Sequence, residues 1–155
     1  MKPLKTFASL VLVYCCCCCF YSAHAQDKLG HLRSWVGKYP TYNSGRPRRQ
    51  FLKLPEIRGC LLKLVSPEDY RFITVVCGKE VPIEQMGDYL IVRKCHHNYC
   101  LRGTALIIVD LKDGAMYIAL RDENDSEARW FSSGGDYQAL PFEVKSGWTI
   151  TKPSP

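Results

Sequence analysis

Apolar positions recur every three or four residues up to about residue 78, then alternate or run together from about residue 80. That change of period divides the chain into a helical part and a strand part. Leu29, Leu32, Trp35 and Val36 fall on one helical face, which Pro40 ends. Ile57, Cys60, Leu61, Leu64 and Val65 make a second stripe, begun by Pro55 at a first-turn position. Ser66-Pro67-Glu68-Asp69 reads as the start of a third helix: a cap, a first-turn proline, then acids at the positive end of the dipole. Tyr70, Ile73, Val76 and Cys77 continue at helical spacing and Gly78 is the expected stop, although the β-branched residues of FITVV weaken the helix.

Five strands are predicted after that, in EVPIE, DYLIVRK, TALIIVDL, AMYIALRD and RWFSS. TALIIVDL is nearly continuous in apolar character, so it is expected at the centre. Asp113-Gly114 marks a tight hairpin turn. The connections are too short for parallel crossovers, which leaves an antiparallel meander. The tail GGDYQALPFEVKSGW is expected to add a short helix or an extended cover. The predicted architecture is α+β: a five-stranded antiparallel sheet covered on one face by helices.

The first 25 residues stand apart. Lys2 and Lys5 precede an apolar run from Ala8 to Phe20, and Ala23-His24-Ala25 makes a cleavage site before Gln26. The run is well short of the ~20 residues a bilayer span needs. Residues 1–25 are therefore expected to be a cleaved secretory signal and 26–155 a single exported domain, with no membrane span. Cys15 to Cys19 leave with the leader; bulky Tyr14 argues against a lipid anchor on one of them. Loss of Lys2 and Lys5 takes the formal charge from +6 to +4. The mild positive charge is concentrated in Arg46, Arg48 and Arg49, near Tyr39 and Tyr42. These arginines are either a solvated loop or a contact for an acidic partner, such as a cell-wall polymer or a membrane surface. Nucleic acid is not an expected partner of an exported chain.

No paired acids in a catalytic context, nucleophile motif or phosphate-binding glycine loop is visible, so the chain does not read as an enzyme, and no cofactor is expected. The acidic run from Asp122 to Glu127 lacks the glycine and spacing of a calcium loop and reads as a solvated turn. Four cysteines remain after the leader: Cys60, Cys77, Cys95 and Cys100. An even number in an exported chain points to two disulfides. Of the three connectivities, 60–77 with 95–100 is favoured because each pair closes a short loop. Closing short loops gains little chain entropy, so a 95–100 bridge would fix a loop shape more than hold the fold.

The loop CHHNYC, residues 95–100, admits four readings: a metal site, a redox pair, a plain disulfide-closed turn, or a recognition knob. Zinc would need further ligands, and adjacent His96 and His97 tend to point to opposite sides. Redox pairs usually enclose two residues, and this loop encloses four. A stiffened loop loses less entropy on binding, and His96, His97, Asn98 and Tyr99 offer short-range hydrogen-bonding groups.

The order of helices, a strand ending in a cysteine, a four-residue loop, a second cysteine and further hairpin strands resembles the Ivy-type inhibitors of vertebrate lysozyme. VPIE, GDYLIVRKC, ALIIVD, RWFSS and Leu140-Pro141 carry the resemblance, over roughly residues 38 to 148. It implies a periplasmic, often dimeric protein with a central antiparallel sheet and helices on its convex side. The implied partner is a lysozyme or another peptidoglycan-cleaving enzyme, whose cleft receives the loop Cys95, His96, His97, Asn98, Tyr99 and Cys100 as a key. In the family pattern the loop reads cysteine, variable, proline, histidine, variable, cysteine, and the histidine reaches the enzyme's two catalytic carboxyl groups. Aligned without gaps, His97 stands at the proline and Asn98 at the histidine. The alternative expectation is an envelope-binding or immunity-type module, carried by Arg46, Arg48 and Arg49, that does not inhibit lysozyme.

Overall fold

The computed structural model describes residues 27–41, 50–98 and 100–146, with nothing assigned to the side chain of Leu101. Residues 1–26, which include the segment read as a signal, the arginines at 46, 48 and 49, Tyr42, Tyr99 and Trp148 lie outside the described residues. Among the described residues, six antiparallel strands form one sheet: β1 (Lys79–Glu80), β2 (Glu84–Met86), β3 (Tyr89–Cys95), β4 (Gly103–Asp110), β5 (Met116–Asp122) and β6 (Arg129–Ser132). The last four make the expected meander, and β1 and β2 both pair with the outer side of β3. The segment read as one strand is thus two. Pro82 cannot donate to a ladder, so pairing breaks around it. Ile83 turns instead to the N-terminal segment, donating its N–H to the Lys38 carbonyl at 2.8 Å and accepting from the Gly37 N–H at 2.8 Å.

All eight residues of β4 are buried, as a central strand covered on both faces must be. On one face Leu90, Val92, Ala105, Ile107, Val109, Ile118 and Leu120 pack with Leu32, Phe51, Ile57, Leu61 and Ile73 from the helical part. On the other, Ile91, Leu106, Ile108, Tyr117 and Ala119 meet Leu140 and Val144 from the tail. The tail supplies a 3₁₀ turn, Tyr137–Ala139, and a single helical turn, and Tyr137 stacks on Trp130 at 4.6 Å. The hairpin between β4 and β5 turns where predicted: Gly114 is left-handed at φ 74°, and the Asp110 carboxylate accepts the N–H groups of Lys112 and Asp113.

The helical part departs from its predicted form twice. The first segment is a 3₁₀ helix, Gly30–Trp35, with only Leu32 buried in it. Leu29, Leu32 and Trp35 are spaced by three, which is the 3₁₀ period, and Val36 falls off that stripe and is exposed. Helix α1 (Pro55–Leu64) forms as expected, with Pro55 in the first turn and Ile57 and Leu61 buried. Helix α2 (Pro67–Arg71) starts at Ser66, whose Oγ accepts the Asp69 N–H at 3.1 Å. It stops being α-helical at Arg71 and widens into a π turn, Phe72–Val76, closed by the Cys77 N–H on the Phe72 carbonyl at 2.9 Å. The β-branched run explains this: Ile73, Thr74, Val75 and Val76 crowd the preceding turn, and the Thr74 hydroxyl donates to the Tyr70 carbonyl at 2.8 Å, drawing it out of the regular ladder.

The π turn also undoes the expected 60–77 bridge. It carries Cys77 fully into the core near Lys94 of β3, while Cys60 stays half-buried on α1, and both thiols are free. Burial pushes the Cys77 thiol up to about 12, so it is an inert packing group at neutral pH.

Helix α2 is tied to the far edge of the sheet by Asp69, whose carboxylate accepts from Arg129 of β6 at 2.8 Å and from the Ser66 hydroxyl at 2.9 Å. Burial alone would raise this carboxyl, but the hydrogen bonds from Arg129 and Ser66 outweigh it and hold the group below the ordinary aspartate value. A lowered folded-state value means stability that is full above the unfolded value and is lost as pH falls through the folded one. Asp69→Asn is therefore expected to destabilise by about 1 kcal/mol at pH 7. Urea unfolding at pH 7 and again near pH 3 checks this; an unchanged difference at the acid pH would contradict it. A second expectation concerns Gly103, where an added Cβ would sit 2.6 Å from Cζ of Phe72. Gly103→Ala is expected to destabilise by about 1–3 kcal/mol through overpacking, read as a lowered urea midpoint, and Gly103→Ala with Phe72→Leu is expected to recover part of it.

Candidate functional site

The β3–β4 pair stays in register from Tyr89 opposite Asp110 to Cys95 opposite Thr104, so the loop springs from the last rung of a continuous ladder. Cys100 begins a 3₁₀ turn, Cys100–Arg102, that leads into β4. Cys95 and Cys100 are joined by the expected disulfide, with Cα atoms 4.8 Å apart. Two hydrogen bonds close the base: the His96 N–H donates to the Gly103 carbonyl at 2.9 Å, and the Thr104 hydroxyl donates to the Cys100 carbonyl at 3.1 Å.

Beneath the loop lies the π turn. The Phe72 ring reaches the backbone at Gly103, and Gly78 leaves room for His97: a Cβ there would come within 3.2 Å of the His97 Cβ. Alongside, β1 pairs Lys79 with Cys95 and Glu80 with Lys94. Lys94 and Glu80 form a buried ion pair at 3.0 Å, with side chains 1% and 7% exposed. The second Glu80 oxygen accepts the Thr41 N–H at 3.1 Å and hydroxyl at 2.7 Å. An ion pair this deep adds little net stability, but it ties β1 and the N-terminal segment to one position on β3, one residue below the loop.

At the tip, His96 is half-buried and His97 and Asn98 are exposed. The two imidazoles do not diverge as adjacent residues were expected to. Their rings stack, with centroids 4.4 Å apart and planes 24° from parallel. The Asn98 N–H donates to Nδ1 of His96 at 3.3 Å, which leaves the neutral ring's proton on Nε2. On the neighbouring rim Asp122 lies opposite Gly103 in the ladder, and the Arg102 Nε stands 3.7 Å from Glu123.

Sequence reasoning placed the loop and its bridge but missed its supports. Phe72, Gly78, Gly103 and the Lys94–Glu80–Thr41 chain have no motif; the one visible signal was Lys94, a lysine directly before the first cysteine of the loop. With both cysteines consumed by the bridge, no thiolate remains there to ligate a metal. Chemically, the tip offers an imidazole and a carboxamide on a braced support, groups that bind carboxyl oxygens without offering a cleavable bond.

No curated protein and no solved structure matches the chain. Residues 56–152 match the family model described as Inhibitor of vertebrate lysozyme (Ivy). That span runs from α1 through the whole sheet and its Cys95–Cys100 loop to beyond the tail helix, and the chain belongs to the Ivy family of inhibitors of vertebrate lysozyme.

Proposed function

We propose that this chain is an exported bacterial inhibitor of a lysozyme-type peptidoglycan-cleaving enzyme, and that it acts by placing loop 95–100 in the enzyme's active-site cleft. The observation that carries this reading is the braced loop itself: His97 and Asn98 stand exposed on a segment closed by a disulfide and by two base hydrogen bonds. A retaining glycosidase works with two carboxyl groups ~5–5.5 Å apart, one protonated and one ionised. An imidazole beside a carboxamide can donate to the carboxylate and accept from the acid, occupying the substrate's place. Because the loop is held before contact, little ordering entropy is lost on binding.

Export rests on the leader read at residues 1–25, and the periplasm is the compartment in which the bridge would form and a lysozyme be met. The mature chain is mildly basic, so it is not steered electrostatically towards a basic enzyme, and tight inhibition would come from slow release. The competing reading, an envelope-binding module acting through Arg46, Arg48 and Arg49, leaves the loop without a role.

The test is inhibition of peptidoglycan hydrolysis by purified residues 26–155 against animal c-, g- and i-type lysozymes and a bacterial lytic transglycosylase. One enzyme class is expected to be inhibited. His97→Ala with Asn98→Ala is expected to weaken that inhibition by at least ~10-fold, as truncation of central contact residues does. Inhibition of no enzyme, or full inhibition by the double variant, would remove the loop from the mechanism; cell-wall pull-down with and without the three arginines would then decide for the envelope reading.

A further inference from the structure

The tip's shape depends on one ring. His96 is the half-buried member of the stacked pair, and its Nδ1 receives the Asn98 N–H. The backbone N–H of His96 donates to the Gly103 carbonyl at the loop base at 2.9 Å. The residue therefore joins the rigid base, through its backbone, to both exposed residues, through its ring: by stacking to His97, and by a hydrogen bond from the backbone of Asn98. We infer that His96 is the positioning residue of the loop and holds His97 and Asn98 in place only as a neutral imidazole. This deepens the cleft-plug reading and rests on it for its consequence in inhibition, though not for its consequence in the free protein.

The argument is one of valence and charge. A nitrogen that accepts a hydrogen bond cannot also carry a proton, so protonating Nδ1 removes the bond to Asn98. The same event puts a positive charge against the face of a second imidazole 4.4 Å away, and a second proton there would set two like charges in contact. The charged groups on surrounding elements are Lys94 on β3 with its ion-pair partner Glu80 on β1, Lys79 on β1 opposite Cys95, Arg102 on the 3₁₀ turn, Arg121 and Asp122 on β5, and Glu123 beyond it. Gly78, which follows the π turn and lies against His97, brings no charge. Histidine is the side-chain type that ordinarily changes charge between pH 5 and 8, so the experiment varies pH across that range.

The experiment compares the wild-type protein with His96→Asn, His96→Ala and His97→Ala. Asparagine at 96 can accept the N–H two residues on through its side-chain oxygen, as in an Asx turn, and does not titrate. Nitrogen-15 NMR of the free wild-type protein is expected to show His96 as the Nε2–H tautomer at neutral pH, with the Asn98 amide shift following the His96 ring as pH falls. In His96→Asn the Asn98 amide is expected to hold its position through the same range, and in His96→Ala to sit at the acid position throughout. His97→Ala is expected to leave the Asn98 amide following His96. One pH unit below the measured midpoint about a tenth of the ring is neutral, so the wild-type inhibition constant is expected to rise about tenfold relative to that of His96→Asn. An Nδ1–H tautomer, an Asn98 amide indifferent to pH, or the same titration in His96→Asn would overturn the inference. Absence of inhibition at every pH would sink the cleft-plug reading alone, and the NMR arm would still decide the role of His96.

Discussion

The structure depends on the unbroken β3–β4 ladder. Seven consecutive pairs, from Tyr89–Asp110 to Cys95–Thr104, fix the register of the two strands. Because β4 is buried on both faces, a slip by one residue would exchange the two apolar sets and leave neither face matched to its cover. From these two strands the helical part packs against Leu90, Val92, Ala105, Ile107 and Val109, and the tail against Ile91, Leu106 and Ile108. Register is therefore enforced from both sides, and the loop inherits that precision: its first cysteine is the last residue of the enforced strand.

The helical part has a second task besides burying apolar surface. Had α2 continued regularly, the chain would have arrived at Cys77 with the face the stripe implies. The π turn adds a residue to the turn, buries Cys77 and brings Phe72 and Gly78 under the loop. π turns are often found at functional positions, and this one packs against the base of the loop. The Lys94–Glu80 pair acts in the same region from the side: a pair of buried charges is a poor source of stability but a strong constraint on position, since separating them leaves each uncompensated.

The parts of this arrangement that follow from local period and valence were legible in the sequence. Alternation and apolar runs gave the order of strands, Asp113-Gly114 the hairpin, Ser66-Pro67 the helix start, and the close spacing of Cys95 and Cys100 their bridge. The illegible parts depend on contacts between distant segments or on competition between two local preferences. Spacing by three in Leu29, Leu32 and Trp35 suits an α-helix and a 3₁₀ helix about equally over two turns. FITVV was recognisably unfavourable to a helix, but how the strain would be relieved, and hence that Cys77 would turn away from Cys60, depended on the sheet below it. Pro82 split a strand whose apolar pattern looked continuous. Nothing in the pattern announces that a phenylalanine at 72 requires a glycine at 103.

The loop's composition is best understood through what stiffens it. The family pattern that the chain resembles places a proline where His97 stands, and a proline restricts the backbone through its own ring. Here the restraint passes between side chains: the His96 ring stacks on His97 and accepts the Asn98 N–H. Both solutions limit the backbone states open to the tip before binding, which is the condition for a loop to enter a cleft without a large entropic penalty. They differ in permanence. A pyrrolidine ring is indifferent to its surroundings, whereas an imidazole is a restraint that a proton releases.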